Sequence, residues 1–384
     1  MQDHSVYIHL PFCTAKCPYC DFGSITLSAP PFEAYQKALR FEWRQLKTVL
    51  SAPPVSIYIG GGTPSIWPED LIVELLSEIP VEADAEITVE VNPGSLSASW
   101  LNALRDAGVN RISIGVQSLS DERLEQLGRR HTADDARDAV QMALSLGFRS
   151  VSADIIYGTS GHTESVLATE LTRLAEMGVH HISAYELTLS RHSPMGRKAS
   201  SGSRLTVNEE EMVHLWHATR NTLSRHGIEQ YEVSSYSREK HTSRHNRHYW
   251  NGGGYIGLGA SAHGFIRGDH RLFRYRNLPD PAAYISCKRE IFRCFDDKPL
   301  GGMAEIEKLT RLDHARERAM LGLRTVYGFP FLEIIETLPE PERTKWHRAA
   351  AMIIERGLGT MKKDRLTPTL TGLLQADAIA EEFF

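Results

Sequence analysis

At 384 residues the chain is long enough for one large α/β unit and a smaller appended module, and with 41% hydrophobic and 24% charged residues it has the composition of a globular protein, not of a disordered, collagen-like or disulfide-dense one. A formal charge of −5 supplies no basic excess to neutralise phosphates, which argues against a sequence-independent nucleic-acid binder. Five cysteines, three of them within eight positions, point to metal in a reducing compartment and away from disulfides.

In chain order, the first apolar run covers 5–10. It begins so close to Met1 that no leader is expected, and no run of eighteen apolar residues marks a membrane helix, so the expected location is cytoplasmic. Further strands are expected over 55–59, 86–91, 111–116, 150–156 and 181–187. Helical spacing occupies 32–50, 68–79, 99–107, 133–146 and 163–177 between them, and a long helix follows over 207–226. Strand and helix alternating six times predict a parallel, right-handed α/β sheet closing into a partial (β/α)6 barrel.

In such folds ligand chemistry gathers at the C-terminal ends of the strands. Each unusual element falls there: Cys13 to Cys20 after the first strand, Gly60 to Thr63 after the second, Glu90 and Asn92 ending the third, Gln117 ending the fourth, and Asp154 near the end of the fifth. A Ser/Arg/Gly-rich loop over 190–204 then breaks the rhythm. A His- and Gly-rich stretch with little helical periodicity runs from 231 to 264, and from 306 onward the pattern changes to helices with a hairpin near 358–366. The expected division is a barrel over 1–230, an extension over 231–300 and a small α+β module over 301–384, its boundary near 299–305.

Cys13, Cys17 and Cys20 form C-x3-C-x2-C on a loop directly after a strand. Three thiolates so placed can grip a 4Fe-4S cluster and leave one iron open to the amino and carboxylate groups of S-adenosylmethionine (SAM). The competing assignment is structural zinc, with His4, His9 or a distant histidine completing a Cys3His set. The asymmetric spacing argues against zinc.

This loop, with Tyr7 and His9 before it, resembles the radical-SAM proteins, and Gly60-Gly61-Gly62-Thr63-Pro64 is similar to their glycine motif. The resemblance implies SAM contacts from Tyr7, Gly61, Gly62, Thr63, Glu90, Gln117, Arg129 and Asp154. A carboxylate can accept from an ammonium, an arginine fork suits a carboxylate, and an aspartate suits ribose hydroxyls. Singly, Glu90 could cap a helix, Arg129 could be a surface cation and Asp154 could satisfy a backbone amide.

The hexapeptide His245-Asn-Arg-His-Tyr-Trp250 resembles the signature of the HemW-type haem chaperones. A histidine nitrogen can ligate haem iron, and Tyr249 and Trp250 can line a macrocycle. His245 is the ligand implied, with His248 and His263 as rivals. An isolated histidine is more often hydrogen-bonded or merely exposed. The resemblance extends to the C-terminal pattern of Gly357, Arg365 and Gly372, similar to a winged-helix-like module, which lacks a basic recognition helix and so fits a lid or protein contact better than DNA. It implies the partial (β/α)6 radical-SAM barrel, a cluster, SAM and haem as cofactors, and a haem-accepting apoprotein of respiration, whose own place can be a membrane. Pairing of two chains is left open.

Related oxygen-independent coproporphyrinogen III oxidases, which decarboxylate a tetrapyrrole by radical chemistry, carry a fourth cysteine where this chain has Phe22, and an N-terminal extension. Turnover of coproporphyrinogen, or another radical modification of a tetrapyrrole, is the alternative function. Cys287 and Cys294 are expected to be ordinary core residues.

Overall fold

The computed structural model describes residues 3–267, 272–287 and 303–384. Cys294 and most of the expected boundary at 299–305 lie outside these residues.

Six parallel strands carry the fold: β1 (His4–Leu10), β2 (Ser56–Gly61), β3 (Glu86–Val91), β4 (Arg111–Gln117), β5 (Ser150–Tyr157) and β6 (His181–Glu186). Helices α1 (Phe32–Leu46), α2 (Glu69–Ser77), α3 (Ala98–Asp106), α4 (Ala133–Ser145) and α5 (Glu164–Met177) connect them, and α6 (Glu209–Arg225) follows β6. The first helix is shorter than its spacing suggests, because the chain tightens into a 3-10 turn over Lys47–Val49. Thr132 with Asp135 and Asn208 with Glu211 form capping boxes that fix the starts of α4 and α6. The loop expected over 190–204 instead contains a short helix, Pro194–Ser200, capped by Ser193.

The sheet does not stop at residue 230. Two short strands, β7 (Glu229–Gln230) and β8 (Ser235–Ser237), extend it beyond β6, and β9 (Gly254–Leu258) lies parallel to β1 on the other side. Beyond β9 come β10 (His263–Arg267), β11 (Leu272–Asn277) and β12 (Met303–Lys308), all antiparallel. The order is β12-β11-β10-β9-β1-β2-β3-β4-β5-β6-β8-β7. Over its described strands, the extension expected at 231–300 is therefore part of the same sheet. Between β8 and β9 the hexapeptide forms a helix, α7 (Arg244–Trp250), where sequence periodicity predicted none. Seven residues are too few to show a repeat of 3.6, and the helix depends on capping by Ser243.

Alternation along the parallel strands divides the sheet into two faces. Val6, Ile8, Ile57, Ile59, Val89, Ile112, Ile114, Val151, Ala153 and Ile182 belong to the main hydrophobic core, which they share with the helices. The intervening residues are polar and bond across the strands inside the barrel: Ser5 with Ser56, Tyr58 with Glu90, Arg111 with Ser150, Ser113 with Asp154, and Ser152 with His181. Parallel sheets are ordinarily apolar on both faces. A polar lumen marks this face as one built for a ligand.

The C-terminal module contains α8 (Arg311–Leu323), α9 (Glu340–Glu355), further short helices and a hairpin of Gly359–Lys362 with Arg365–Pro368. Its separate core gathers Phe329, Phe331, Trp346 and Phe383, with Trp346 edge-on to Phe329. It joins the barrel where α8 packs on α7 and where Glu232 bridges to Thr325.

Candidate functional site

The cysteine loop leaves β1 at its C-terminal end. Phe12–Cys13 pairs with Ile25–Thr26, and the Lys16 ammonium donates to the carbonyls of Phe22 and Ser24 at 3.2 and 3.1 Å, pinning the loop shut. Cys13 is buried and Cys17 and Cys20 are half-buried, and all three are free thiols. Burial raises the Cys20 thiol above its ordinary range, so a thiolate there calls for a compensating positive charge.

Among the described residues no three His, Cys, Asp or Glu side chains converge on a single ion. The histidines offered for a Cys3His set are also committed elsewhere. His9 is engaged through both ring nitrogens, and His4 sits at the far end of β1, beside Gly254. The thiols of an iron–sulfur cube each hold a different iron, a donor set that three free thiols on one loop can supply.

The glycine segment lies against this loop, with Gly62 N–H donating to Leu10 O at 2.8 Å and Thr63 N–H to Phe12 O at 2.9 Å. A Cβ on Gly62 would stand 2.6 Å from Phe12 O, and one on Gly61, whose φ is +110°, would stand 2.5 Å from the His9 ring. The bare backbone is thus required by close packing as well as by a turn.

One chain of hydrogen bonds links the thiols to the strand ends. Arg129 donates to Cys17 Sγ at 3.4 Å, to Asn92 Oδ1 at 2.6 Å and to Gly115 O at 3.2 Å, while Asn92 Nδ2 donates to Thr63 Oγ1 at 3.0 Å. Gly128 turns with φ +65° directly against Pro18, which brings Arg129 to the loop. Gln117 ends β4 at φ +64°, in the left-handed region, where the β4–β5 register shifts. Gly115 leaves room for it, since a Cβ there would lie 2.9 Å from Gln117 Nε2.

Deeper in the lumen, the Tyr58 hydroxyl donates to Glu90 at 2.8 Å and Gly61 N–H donates at 3.2 Å. Burial, reinforced by nearby Asp154, pushes the Glu90 carboxyl up to about 7. Burial raises Asp154 to about 6 against the opposing hydroxyls of Ser183 and Ser113. Tyr7 stacks on Tyr58 with ring centroids 6.2 Å apart. Because the Gly23 carbonyl can only accept, His9 donates to it through Nε2, and its Nδ1 accepts from the Tyr7 hydroxyl. Two neighbouring buried carboxyls on the polar face of the sheet suit a cationic guest bearing hydroxyls. Sequence reasoning did not single out Tyr58, Ser113 or Ser183, and it noted Asn92 only by place. Their signal is the period-two recurrence of polar residues on otherwise apolar strands.

The structure places the hexapeptide elsewhere. His245 is 1% exposed at the N-terminal end of the strands, opposite the cysteine loop. Its Nδ1 bonds to Ser56 Oγ at 2.9 Å and its Nε2 to the Tyr249 hydroxyl at 2.8 Å, while Glu86 accepts from its backbone N–H. Burial lowers its pKa to about 3, so the ring is neutral. Trp250 lines a cavity between α7 and the C-terminal module, and its Nε1 is buried with no partner among the described residues. His248 donates to Gly254 O at 2.8 Å. His263 is exposed at the start of β10, on the cysteine side, and its ring has no hydrogen-bond partner among the described residues.

The sequence profile of the Radical SAM superfamily matches residues 7–172 and that of the HemN C-terminal domain matches 309–374. The heme chaperone HemW of Mycobacterium tuberculosis is 32% identical over 98% of this chain and 94% of its own length. The Bacillus subtilis protein of the same name is 34% identical over 84% of each chain, and bovine radical S-adenosyl methionine domain-containing protein 1, mitochondrial, is 34% identical over 98% of this chain and 86% of its own. Among solved structures, coproporphyrinogen III oxidase (HemN) from Escherichia coli superposes with a TM-score of 0.82 over all of this chain and 90% of its own, at 22% identity, a likeness of fold.

Proposed function

Because the chain belongs to the HemW heme chaperone family within the radical SAM superfamily, we propose that it binds haem together with a SAM-ligated 4Fe-4S cluster and passes the haem to an acceptor apoprotein, one of respiration. The observation that carries this reading is an adjacency: three free thiols, the Arg129 guanidinium and the strained Glu90 and Asp154 carboxyls share one end of a polar lumen.

In this reading Cys13, Cys17 and Cys20 hold three irons, and the bound cluster with SAM supplies one-electron chemistry. The backbone at Gly61, Gly62 and Thr63 receives the amino-acid end of SAM, and Glu90 accepts from its ammonium. Gln117 and Arg129 take up the carboxylate, Asp154 accepts from ribose hydroxyls, and Tyr7 packs beside the cofactor. Arg129, already donating to Cys17, contributes the positive charge that buried thiolates need.

Haem ligation is assigned to His245, with Tyr249 and Trp250 lining the ring and His248 and His263 as rivals. With Nδ1 oriented by Ser56, the Nε2 of His245 is the nitrogen available to iron once the Tyr249 hydroxyl moves away. His263, exposed, would need no such movement. We place the protein in the cytoplasm, with nucleic acid playing no part. No described helix is long and apolar enough to cross a membrane.

The test is anaerobic reconstitution followed by haem titration, with coproporphyrinogen III, SAM and reductant as a parallel arm. Iron and labile sulfide with a saturable Soret shift support the reading, and His245→Ala should abolish that shift while leaving iron and sulfide intact. Zinc without iron or sulfide sinks the cluster, and product formed over many turnovers replaces the chaperone by an oxidase.

A further inference from the structure

A cavity of about 260 Å³ opens at the N-terminal ends of the barrel strands, opposite the cysteine loop. Five basic side chains line it, Arg111, Arg149, Lys240, Arg244 and Arg247, against one carboxylate, Glu86. This is a local excess of positive charge in a chain whose formal charge is −5. Glu86 is already engaged by the start of α7, accepting from Ser243 Oγ and from the backbone N–H groups of Arg244 and His245. Arg244 is paired with Asp84 at 2.9 Å. The other four cations make no ion pair among the described residues, and Arg247 lies over the Tyr327 ring.

Arg111 decides what the cavity is for. It is 3% exposed, and its hydrogen bonds to the described residues, to Ser150 Oγ at 2.8 Å and His241 O at 3.2 Å, both leave from Nη1. Among the described residues no hydrogen bond leaves its Nε or Nη2. Its nearby carboxylates, Asp154, which feels its charge, and Glu86, already engaged by α7, make no ion pair with it among the described residues, and an arginine edge matches the two oxygens of a carboxylate or phosphate. The volume falls just below that of pockets that enclose a drug-sized ligand, so it admits oxyanion-bearing arms and leaves a macrocycle outside. Arg244 and Arg247 lie on α7 beside His245.

Building on the haem-chaperone reading, we infer that this cavity is an oxyanion site that takes the propionate carboxylates of haem, with Arg111 as its buried prong and Arg149, Lys240 and Arg247 at its rim.

The test titrates haem and haem dimethyl ester, whose carboxylates are masked, into the reconstituted wild type, into the double variant Arg149→Ala with Lys240→Ala, and into Arg111→Met. The two rim residues are exposed, so the double variant should fold even where Arg111→Met does not, with unchanged far-ultraviolet circular dichroism and iron content as controls. The expected result is a loss of haem affinity of about tenfold or more in the double variant, with the ester binding wild type and variant alike. Equal haem affinity in wild type and folded variants overturns the site. If wild type binds no haem at all, the chaperone reading fails separately, and calorimetric titration with inorganic phosphate decides the cavity: binding weakened in the double variant sustains an oxyanion site, and no binding, or binding equal in both, overturns it.

Discussion

Replacing Glu90 by glutamine removes a carboxyl that burial and Asp154 raise from 4.5 to about 7. The folded state then holds a proton that the unfolded chain releases between those two values. Stability of the wild type therefore falls as pH rises through that window and levels off above about 7. At about 1.4 kcal/mol per tenfold change in proton affinity, the full effect approaches about 3 kcal/mol. The amide still accepts from Tyr58 but offers no acceptor to Gly61 N–H in its place, a loss of about 1 kcal/mol that is independent of pH. Urea unfolding of cluster-free protein from pH 4.5 to 8 measures the difference. The wild type should lose about 2 to 3 kcal/mol relative to Glu90→Gln across the range, while Asp154, raised to about 6, titrates in both. A difference that stays constant with pH would mean that Glu90 does not sit strained in the lumen, and the argument for a cationic guest would fail with it.

Gly62→Ala puts a methyl 2.6 Å from Phe12 O and 2.8 Å from Leu10 O, both backbone. It should lower stability by about 2 kcal/mol or more and impair cluster reconstitution, read by thermal unfolding and iron content. Arg129→Lys keeps a charge but loses the fork shared by Cys17, Asn92 and Gly115. Cluster assembly should survive while SAM affinity drops by about tenfold, measured by titration of the reduced cluster's electron paramagnetic resonance; unaltered affinity would remove Arg129 from the SAM site. Tyr249→Phe frees Nε2 of His245. Haem should bind at least as tightly as in wild type if His245 is the ligand, and a Soret shift lost in His263→Ala but kept in His245→Ala would reassign the iron.

Hydrophobic periodicity and the placing of unusual residues after strands specify six β/α units and a cysteine loop at their C-terminal ends, because both are local properties of a chain that must bury one face of each element. That Gly61, Gly62, Glu90, Gln117 and Asp154 stand at or near strand ends was legible for the same reason. Position relative to a strand end carries directly into space.

Other features depend on contacts that no local window contains. Ser56 meets His245 across 189 positions, and β9 joins β1 from some 250 residues away. Those pairings place α7 beneath the barrel and close both nitrogens of His245. They also assemble a cationic cavity from residues scattered between 86 and 247. Asn92 joins Thr63 to Arg129 only because strand register brings three loop ends together. The sequence by itself determined which elements form and which ends carry the thiols. Only tertiary structure decided which polar groups face one another, since side-chain hydrogen bonding between distant segments is fixed by register and packing, not by composition.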